Sequence, residues 1–304
     1  MHKKYRYLFI LLVAVWLAIF CLSFLFNLIG RTFEFSSFWR LLMMALSGLI
    51  SAIIITFIVI YTTPVLKEYL HTLRSLLRLD TLSHPLLLKL QQKAPASFHH
   101  SLMVANLAHR AGKAIGADPL LTRIGGYYHD IGKAINPEYY FENNSLQKEL
   151  TKISDFKLKA LKLSSHVKNG VLLAKQYHLP QGIIDLIIQS HGTSEISFLH
   201  KKAQELKIKI NKKDLRYQGI KPQTKEAAIL MLADGVESKI RSQKILTKQM
   251  IDEIINEIIS SKLNDRQIEL SGITQSELYK IKKALTEGVE IIHHQRLKYP
   301  NDQN

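Results

Sequence analysis

Two long runs of apolar residues precede a region in which apolar and charged positions alternate. Residues 7–29 read YLFILLVAVWLAIFCLSFLFNLI and residues 41–63 read LLMMALSGLISAIIITFIVIYTT, and neither run contains a charged residue. An α-helix needs about 20 apolar residues to cross the hydrocarbon layer of a bilayer. The pattern therefore predicts two transmembrane helices, which form a membrane anchor over residues 1–64.

Basic residues flank these runs. Lys3, Lys4 and Arg6 before the first run leave a cleavable signal peptide as an alternative, but the run exceeds a usual h-region and no small-x-small cleavage site follows it. Lys67 and Arg74 follow the second run. Under the positive-inside rule, these charges place the N-terminus and the region after the spans in the cytoplasm. We expect a multi-pass protein of the cell membrane with two spans.

The region after the spans has helical periodicity. In residues 65–92, leucines at positions 66, 70, 73, 76 and 77 form the apolar face of an amphipathic connector helix. This helix either packs on the domain that follows or pairs in a homodimer, to which the transmembrane helices would also contribute. Residues 93–304 contain no convincing strand pattern, internal repeat or glycine-rich phosphate loop. We therefore predict an all-α chain, with two transmembrane helices followed by a helical domain over residues 93–304.

Charge and cysteine content limit the expected partners. The net charge of +16 fits a membrane surface, an anionic substrate or nucleic acid. The basic residues are spread over many helices and no nucleic-acid motif is present, so nucleic acid is not an expected partner. Membrane lipid and an anionic substrate remain. The one cysteine, Cys21, lies in the first span, so no disulfide framework is expected.

A pair of adjacent polar residues is the centre of the predicted site. His129 and Asp130 close an apolar helical run and are followed by Gly132 and Lys133. An imidazole beside a carboxylate suits Mn, Fe or Zn better than Ca or Mg. Such a pair alone also arises by chance on solvated surfaces. The prediction of a metal site depends on four further candidate ligands, each within an apolar helical pattern: His100, His166, His191 and Asp234.

Two of these candidates lie on apolar helix stripes. The segment that ends in Ser97 signals a helix start, with Ser97 as the expected N-cap. On that helix His100 shares a face with Val104 and Leu107, which directs it towards the core. Asp234 lies on an apolar stripe of a later helix, where a carboxylate is costly to bury unless it is paired or bound to metal.

A basic segment follows the candidate ligand His191. Residues 200–225 hold nine Lys or Arg against two acidic residues. This segment is either a solvated loop or a basic rim that attracts phosphates. From their position in it, Arg216 and Lys221 are predicted to contact the substrate.

Together these residues predict a two-metal site. Asp130 is the natural bridge, because a carboxylate offers two oxygens. Two metal ions can clamp an in-line displacement at phosphorus, in which one activates the attacking water and both neutralise charge. Lys133, one turn after His129, is expected to contact a non-bridging phosphate oxygen. Asp130 and Lys133 are therefore the predicted catalytic residues, and the reaction class is metal-assisted hydrolysis of a phosphate ester.

The set His100, His129-Asp130 and Asp234 resembles the H…HD…D signature of the HD superfamily of metal-dependent phosphohydrolases. Over about residues 80–300 the similarity is closer to one subfamily, the membrane-anchored HD phosphodiesterases with a seven-helix membrane region, which degrade cyclic di-AMP. The runs that carry it are HPLLLKLQQKAPASFHHSLMVANLAHRAG, IGADPLLTRIGGYYHDIGK, SSHVKNG and KPQTKEAAILMLADGVES.

This resemblance implies the ligand sets, the metals and the product. One metal would be held by residues that match His100, His129, Asp130 and Asp234. The second would be held by Asp130, His166 and an adjacent His-His pair that includes His191. Iron or manganese is the implied metal in both sites, and linear pApA is the implied product.

The chain departs from this family in two places. Ser190 stands where one histidine of the His-His pair would be, and serine is a poor ligand for these metals. We therefore expect weaker occupancy of the second metal site and slower turnover. The family also has an extracellular sensing domain and seven spans, whereas this sequence predicts two spans and no sensor.

Three hypotheses follow for the function. The first is a membrane-tethered phosphodiesterase that hydrolyses cyclic di-AMP. The second keeps the fold and changes the substrate to another cyclic dinucleotide, a guanosine polyphosphate or a nucleotide monophosphate, because a fold does not select among phosphate esters. The third is a nucleotide-binding or scaffolding module at the membrane that has lost catalysis because of Ser190. Retention of Asp130, Lys133 and Asp234 argues against the third hypothesis.

Overall fold

The computed structural model describes residues 37–140, 142–143 and 154–293, with isolated positions 15, 21, 24 and 25. The described residues are helical, and the only β-type pairing among them is an isolated bridge between Glu195 and Arg216. The prediction of an all-α chain is confirmed. The helices are α1 Ser37–Leu79, α2 Pro85–Lys93, α3 Pro95–Ile115, α4 Pro119–Tyr128, α5 Phe156–Gln176, α6 Gln181–Gln189, α7 Ser197–Glu205, α8 Lys225–Arg241, α9 Lys248–Asn264 and α10 Gln275–Ile292. Short 3₁₀ turns lie at Ile131–Ala134, Pro137–Tyr139, Lys212–Leu215 and Glu269–Ser271.

The chain divides into two compact units, Met1–Arg74 and Ser75–Asn304. In the first unit, α1 is a helix long and apolar enough to cross a membrane, since its segment from Ala45 onward reaches a mean hydropathy of 2.3. The predicted span 41–63 lies within α1, and the predicted span 7–29 lies outside the described residues apart from four positions. The domain boundaries at residues 64 and 92 stay predictions.

Local sequence signals explain most helix ends in the second unit. Asp118 caps α4, because its carboxylate accepts hydrogen bonds from the backbone N–H groups of Leu120 and Leu121. Thr274 forms a reciprocal capping box with Glu277 at the start of α10. The prediction for α3 was wrong by one turn, since the helix begins at Pro95 and Ser97 lies inside it. Proline is well suited to the first helical position, because its missing N–H needs no partner there.

Two apolar clusters of the second unit meet along α3. The larger cluster joins Val104 and Leu107 of α3 to the buried faces of α8, α9 and α10. The other joins Phe98 of α3 to α2, α4 and α6, and includes Tyr128 and Ile131 around the His129-Asp130 pair. His100 lies between Phe98 and Val104 on α3, and the His129-Asp130 pair lies between Tyr128 and Ile131, so packed residues flank these candidate ligands.

Close backbone packing fixes the turn after Asp130. A Cβ atom on Gly132 would lie 1.9 Å from the carbonyl oxygen of His166, so only glycine allows the turn to approach α5 this closely. This contact brings the 3₁₀ turn Ile131–Ala134 against the part of α5 that carries His166. Two candidate ligands separated by 36 positions are thereby placed side by side.

Candidate metal centre

The side chain of Asp130 lies at the centre of the predicted ligands. Its Oδ2 atom is 3.7 Å from Nε2 of His100 and 3.4 Å from Nε2 of His129. Its Oδ1 atom is 3.4 Å from Nε2 of His166 and 4.0 Å from Nε2 of His191. One oxygen of the carboxylate therefore faces each pair of histidines, which is the arrangement of a bridging ligand.

The first cluster consists of His100, His129 and Asp130, whose ligand atoms all lie within 4.8 Å of one another. All three side chains are buried. Asp234, in the middle of α8, adds a second carboxylate, with Oδ1 3.0 Å from Nε2 of His100 and 3.8 Å from Nε2 of His129. This set of two imidazoles and two carboxylates is suited to a transition-metal ion.

The second cluster consists of Asp130, His166 and His191, again with ligand atoms within 4.8 Å of one another. The Nε2 atoms of His166 and His191 are 2.8 Å apart. The ring of Tyr217 stacks on His191, with the ring centroids 4.4 Å apart and an angle of 21° between the planes. The structure thus brings all six predicted metal ligands together, while their role as ligands stays a prediction.

The second nitrogen of each histidine is held by a neighbour. Nδ1 of His129 lies 2.8 Å from the carbonyl oxygen of Gly126, and Nδ1 of His166 lies 2.7 Å from that of Leu163. A carbonyl only accepts hydrogen bonds, so both rings carry their proton on Nδ1 and direct the Nε2 lone pair towards Asp130. Nδ1 of His191 lies 3.2 Å from Oδ2 of Asp234.

Unsatisfied buried atoms are evidence that the centre fits a cation. Within the described part of the chain, Nε2 of His129 and Oδ1 of Asp130 are buried and have no hydrogen-bond partner. Oδ2 of Asp130 is buried as well, and it forms an ion pair with Nζ of Lys133 at 2.8 Å. Leaving Nε2 and Oδ1 unpaired is costly, and coordination to metal ions would satisfy both.

The histidines of the two clusters have opposite pKa shifts. Burial opposes protonation of His100, but hydrogen bonds to Asp234 and Glu237 outweigh it and raise the pKa to about 9. Burial lowers the pKa of His166 to about 3, because the attraction of Asp130 is too weak to offset it and His191 and Lys133 add to the lowering. The carboxyls of Asp130 and Asp234 are also buried, yet the neighbouring positive groups hold both pKa values well below the usual range.

Lys133 is held at the edge of the centre by three groups. Its Nζ forms the ion pair with Asp130 described above. It also donates a hydrogen bond of 2.8 Å to Oε1 of Glu142 and lies 5.1 Å from the centroid of the Tyr140 ring. Burial opposes its charge, but Asp130 and Glu142 raise the pKa of Lys133 above its ordinary value. Ser97 donates to the same carboxylate of Glu142 at 2.9 Å. Lys133 is therefore a fixed positive charge beside Asp130.

Arg216 and Lys221, the two other residues predicted to contact the substrate, have different surroundings from Lys133. The guanidinium of Arg216 donates to both carboxylate oxygens of Asp265, at 2.6 and 2.5 Å, and to the carbonyl oxygen of Thr193 at 2.7 Å. It is thus committed to pairing α9 with the turn after His191. The backbone of Lys221 passes Gly192, where an added Cβ would lie 3.4 Å from the Lys221 Cα. Both assignments stay predictions.

The structure adds residues that the sequence analysis missed. Glu237 is buried and contacts Nδ1 of His100, and its position one turn after Asp234 on the same helix was an available signal. Lys262 on α9 donates a hydrogen bond of 2.7 Å to Oγ of Ser194, and burial lowers its pKa. Gln267 accepts a hydrogen bond of 2.9 Å from the backbone N–H of Thr193. These last two contacts join segments distant in sequence, which no local pattern indicates.

The hydroxyl of Ser190 is hydrogen-bonded to the backbone of the preceding turn. The residue is fully buried at the end of α6, and its Oγ donates a hydrogen bond of 2.9 Å to the carbonyl oxygen of Ile187. This hydrogen bond uses the hydroxyl proton, and the neutral hydroxyl oxygen that remains is a poor ligand for these metals. The second cluster therefore has three ligand residues where the resemblance implies four.

Comparisons with known proteins agree with this geometry. The model of the HD domain family matches residues 97–239, which contain all six candidate ligands. The chain is 41% identical over 237 residues to the cyclic-di-AMP phosphodiesterase PgpH of Listeria monocytogenes and 38% identical over 259 residues to PgpH of Bacillus subtilis. These matches cover 77% and 84% of this chain, and the chain spans about a third of the length of both relatives (32% and 36%).

A solved structure covers the same region. The crystal structure of the L. monocytogenes PgpH HD domain in complex with cyclic-di-AMP is similar to this chain, with a TM-score of 0.66 and 41% sequence identity. The match covers 71% of this chain and 100% of that domain. The helices and the clustered histidines and aspartates described above are therefore those of an HD domain. This chain belongs to the HD-domain family that includes the PgpH phosphodiesterases.

Proposed function

We propose that this chain is a membrane-tethered, metal-dependent phosphodiesterase that hydrolyses cyclic di-AMP to linear pApA. The observation that carries the proposal is the position of Asp130, whose two oxygens face two separate pairs of histidines. The similarity to PgpH supports the choice of substrate. Two divalent ions, Mn or Fe, are the proposed cofactors, because imidazole and carboxylate ligands suit both.

When bound, the two ions supply Lewis-acid chemistry, which activates water and neutralises charge on the phosphate. The residues of the chain hold and orient this centre. His129 and His166 are locked by backbone carbonyls, so their Nε2 atoms need no reorganisation before they coordinate. Asp130 fixes the spacing between the two halves, and it is buried together with His100, His129 and His166. A preorganised site of this kind lowers the cost of reaching the transition state.

Lys133 is the proposed contact to a non-bridging phosphate oxygen. Its ammonium is anchored by Glu142 while it lies beside Asp130, so it presents a fixed charge where the phosphate must approach the bridging carboxylate. Glu142 and Tyr140 restrict its rotamers, which reduces the entropy lost when the phosphate binds. Arg216 and Lys221 remain proposed contacts to other parts of the substrate.

The location of the protein is also a proposal. α1 supplies one span, and the apolar run at residues 7–29 would supply another, with the N-terminus and HD domain in the cytoplasm. Pairing of the transmembrane or connector helices would give a homodimer. Labelling of single cysteines at position 3 and at the exposed position 113 from either side of the membrane, in a Cys21→Ser background, tests the orientation.

A second candidate function is favoured by Ser190. With its hydroxyl bound to Ile187, the second cluster lacks one of the four ligands that the family resemblance implies. A centre with a poorly filled second site would bind a nucleotide and turn it over slowly or not at all. The chain would then act as a nucleotide-binding module at the membrane.

Hydrolysis by the purified full-length chain separates these functions. The chain in detergent with Mn²⁺ is incubated with cyclic di-AMP, and pApA is measured by chromatography, with unlabelled cyclic di-GMP, guanosine tetraphosphate and AMP as competitors. We expect pApA formation that none of these three competitors inhibits strongly. Tight binding without pApA would establish the binding module, and preference for a competitor would assign another nucleotide substrate.

A further inference from the structure

Glu237 is a buried carboxylate that touches the centre without facing Asp130. It lies on α8, one turn after Asp234, and only 3% of it is exposed. Its Oε2 contacts Nδ1 of His100, and Nε of Arg241 lies 3.7 Å from the same oxygen. One helix thus presents two carboxylates to opposite edges of a single imidazole, because Asp234 faces its Nε2.

This arrangement distinguishes His100 from His129, the other histidine of the first cluster. Nδ1 of His129 is held by a neutral carbonyl oxygen, whereas Nδ1 of His100 is held by a charged carboxylate. A carboxylate on the far nitrogen fixes the tautomer and ring orientation of a metal-binding imidazole, and it makes the coordinating nitrogen a stronger donor. Burying the carboxylate of Glu237 is costly, and the contact to His100 compensates for that cost.

We propose that Glu237 is a positioning residue that keeps His100 in its Nδ1–H form and thereby sets the affinity of the first metal site. The proposal rests on the metal centre proposed above and concerns its first cluster alone. Arg241 is partly exposed and further away, so it orients Glu237 and does not replace His100 as its partner. In the second cluster, Nδ1 of His166 is held by the Leu163 carbonyl, and Nδ1 of His191 faces Asp234, which is itself a candidate ligand.

The test measures metal affinity one site at a time in the full-length chain. A His166→Gln background retains every ligand of the first cluster, so chelator competition for Mn²⁺ and for Zn²⁺ reports that site. In this background we expect Glu237→Ala to weaken binding by about 10–100-fold. The metal affinity of Glu237→Gln should lie between those of the parent and of Glu237→Ala, because the amide oxygen of Gln still accepts a hydrogen bond from Nδ1 but carries no charge. A His100→Gln background, which retains the second cluster, should show no change with either substitution.

Glu226→Gln is the matched control, because Glu226 lies on the same helix and its carboxylate accepts from the backbone N–H of Asp118, away from the centre. Thermal unfolding of every metal-free variant tests for a merely structural role. Unchanged first-site affinity in Glu237→Ala would overturn the inference and leave the metal centre standing. Equal weakening at both sites, in step with a lower unfolding temperature, would also overturn it. Absence of metal binding by the parent chain would instead contradict the proposed function.

Discussion

The two halves of the centre share Asp130 and are similarly buried, yet they differ in charge. In the first cluster, carboxylates face both edges of His100 and raise its pKa to about 9. In the second, His166 faces another imidazole and a nearby lysine, and its pKa is lowered to about 3. Burial acts in the same direction on both residues, so the difference comes from their partners.

This difference indicates how each half would hold a cation. The first cluster has Asp130, Asp234 and the supporting Glu237, so it attracts a cation strongly but must release the proton of His100 to bind one. His166 of the second cluster is held neutral by its lowered pKa and needs no proton release. It has fewer carboxylates, however, and Ser190 adds no ligand. We therefore expect the first site to fill before the second.

Removal of the shared residue is the largest expected change. Asp130→Asn keeps the shape of the side chain but removes the charge that both clusters use. We expect both metals to be lost from the purified chain and pApA formation to fall at least ~10²–10³-fold, the loss typical of one key electrostatic group. Metal analysis and a hydrolysis assay measure the two effects. Asp185→Asn, at a partly exposed position of α6 where Asp185 accepts a hydrogen bond from Gln181, should behave like the parent. Full metal content in Asp130→Asn would mean that the clusters are independent.

Restoration of a ligand at position 190 should reduce the difference in metal affinity between the two halves. Ser190→His is expected to raise the Mn²⁺ affinity of the second site by at least about tenfold and to speed turnover, because the imidazole supplies the missing ligand. Chelator competition in a His100→Gln background measures this site. Ser190→Ala removes only the hydrogen bond to Ile187 and should leave metal affinity unchanged. If Ser190→His binds no more tightly than Ser190→Ala, the weakness of the second site has another cause.

The opposite pKa shifts of His100 and His166 predict that the stability of the metal-free chain depends on pH. This effect is smaller than those of the substitutions at positions 130 and 190. The folded pKa of His100 lies above the unfolded value of 6.5, so its stabilisation is complete below pH 6.5 and is lost as the pH rises through about 9. The folded pKa of His166 lies below 6.5, so stability is lost as the pH falls from 6.5 towards 3. We expect the melting temperature to decrease by several degrees on each side of about pH 6.5.

Thermal unfolding in chelator, followed by circular dichroism from pH 5 to 9, measures this profile. His100→Gln should abolish the decrease on the alkaline side and leave the acid side in place. An alkaline decrease that persists in His100→Gln would assign it to a different group.

The fold and the cluster of candidate ligands followed from the sequence because the relevant patterns are local. Apolar residues at helical spacing predicted the helices, and polar residues on apolar stripes, such as His100 and Asp234, predicted what would be buried. The N-cap at Ser97 was wrong because Pro95 already begins the helix and the hydroxyl of Ser97 is used by Glu142, 45 positions later.

The remaining features depend on contacts between distant segments. The pairing of Arg216 with Asp265 and of Lys262 with Ser194 requires α9 to pack beside the turn after His191. No spacing within either segment indicates this. The position of Glu237 could have been predicted more readily, because a carboxylate one turn after Asp234 lies on the same face of the helix. The metal-binding and catalytic roles of these residues stay predictions until metal is bound.

The central claim is that Asp130 joins two metal sites of unequal strength. Anomalous diffraction from crystals of the full-length chain soaked in limiting and then excess Mn²⁺ tests it most directly. We expect the first peak among His100, His129 and Asp234, a second between His166 and His191 only in excess metal, and Asp130 in contact with both. Equal filling at limiting Mn²⁺, or peaks that do not contact Asp130, would contradict the account.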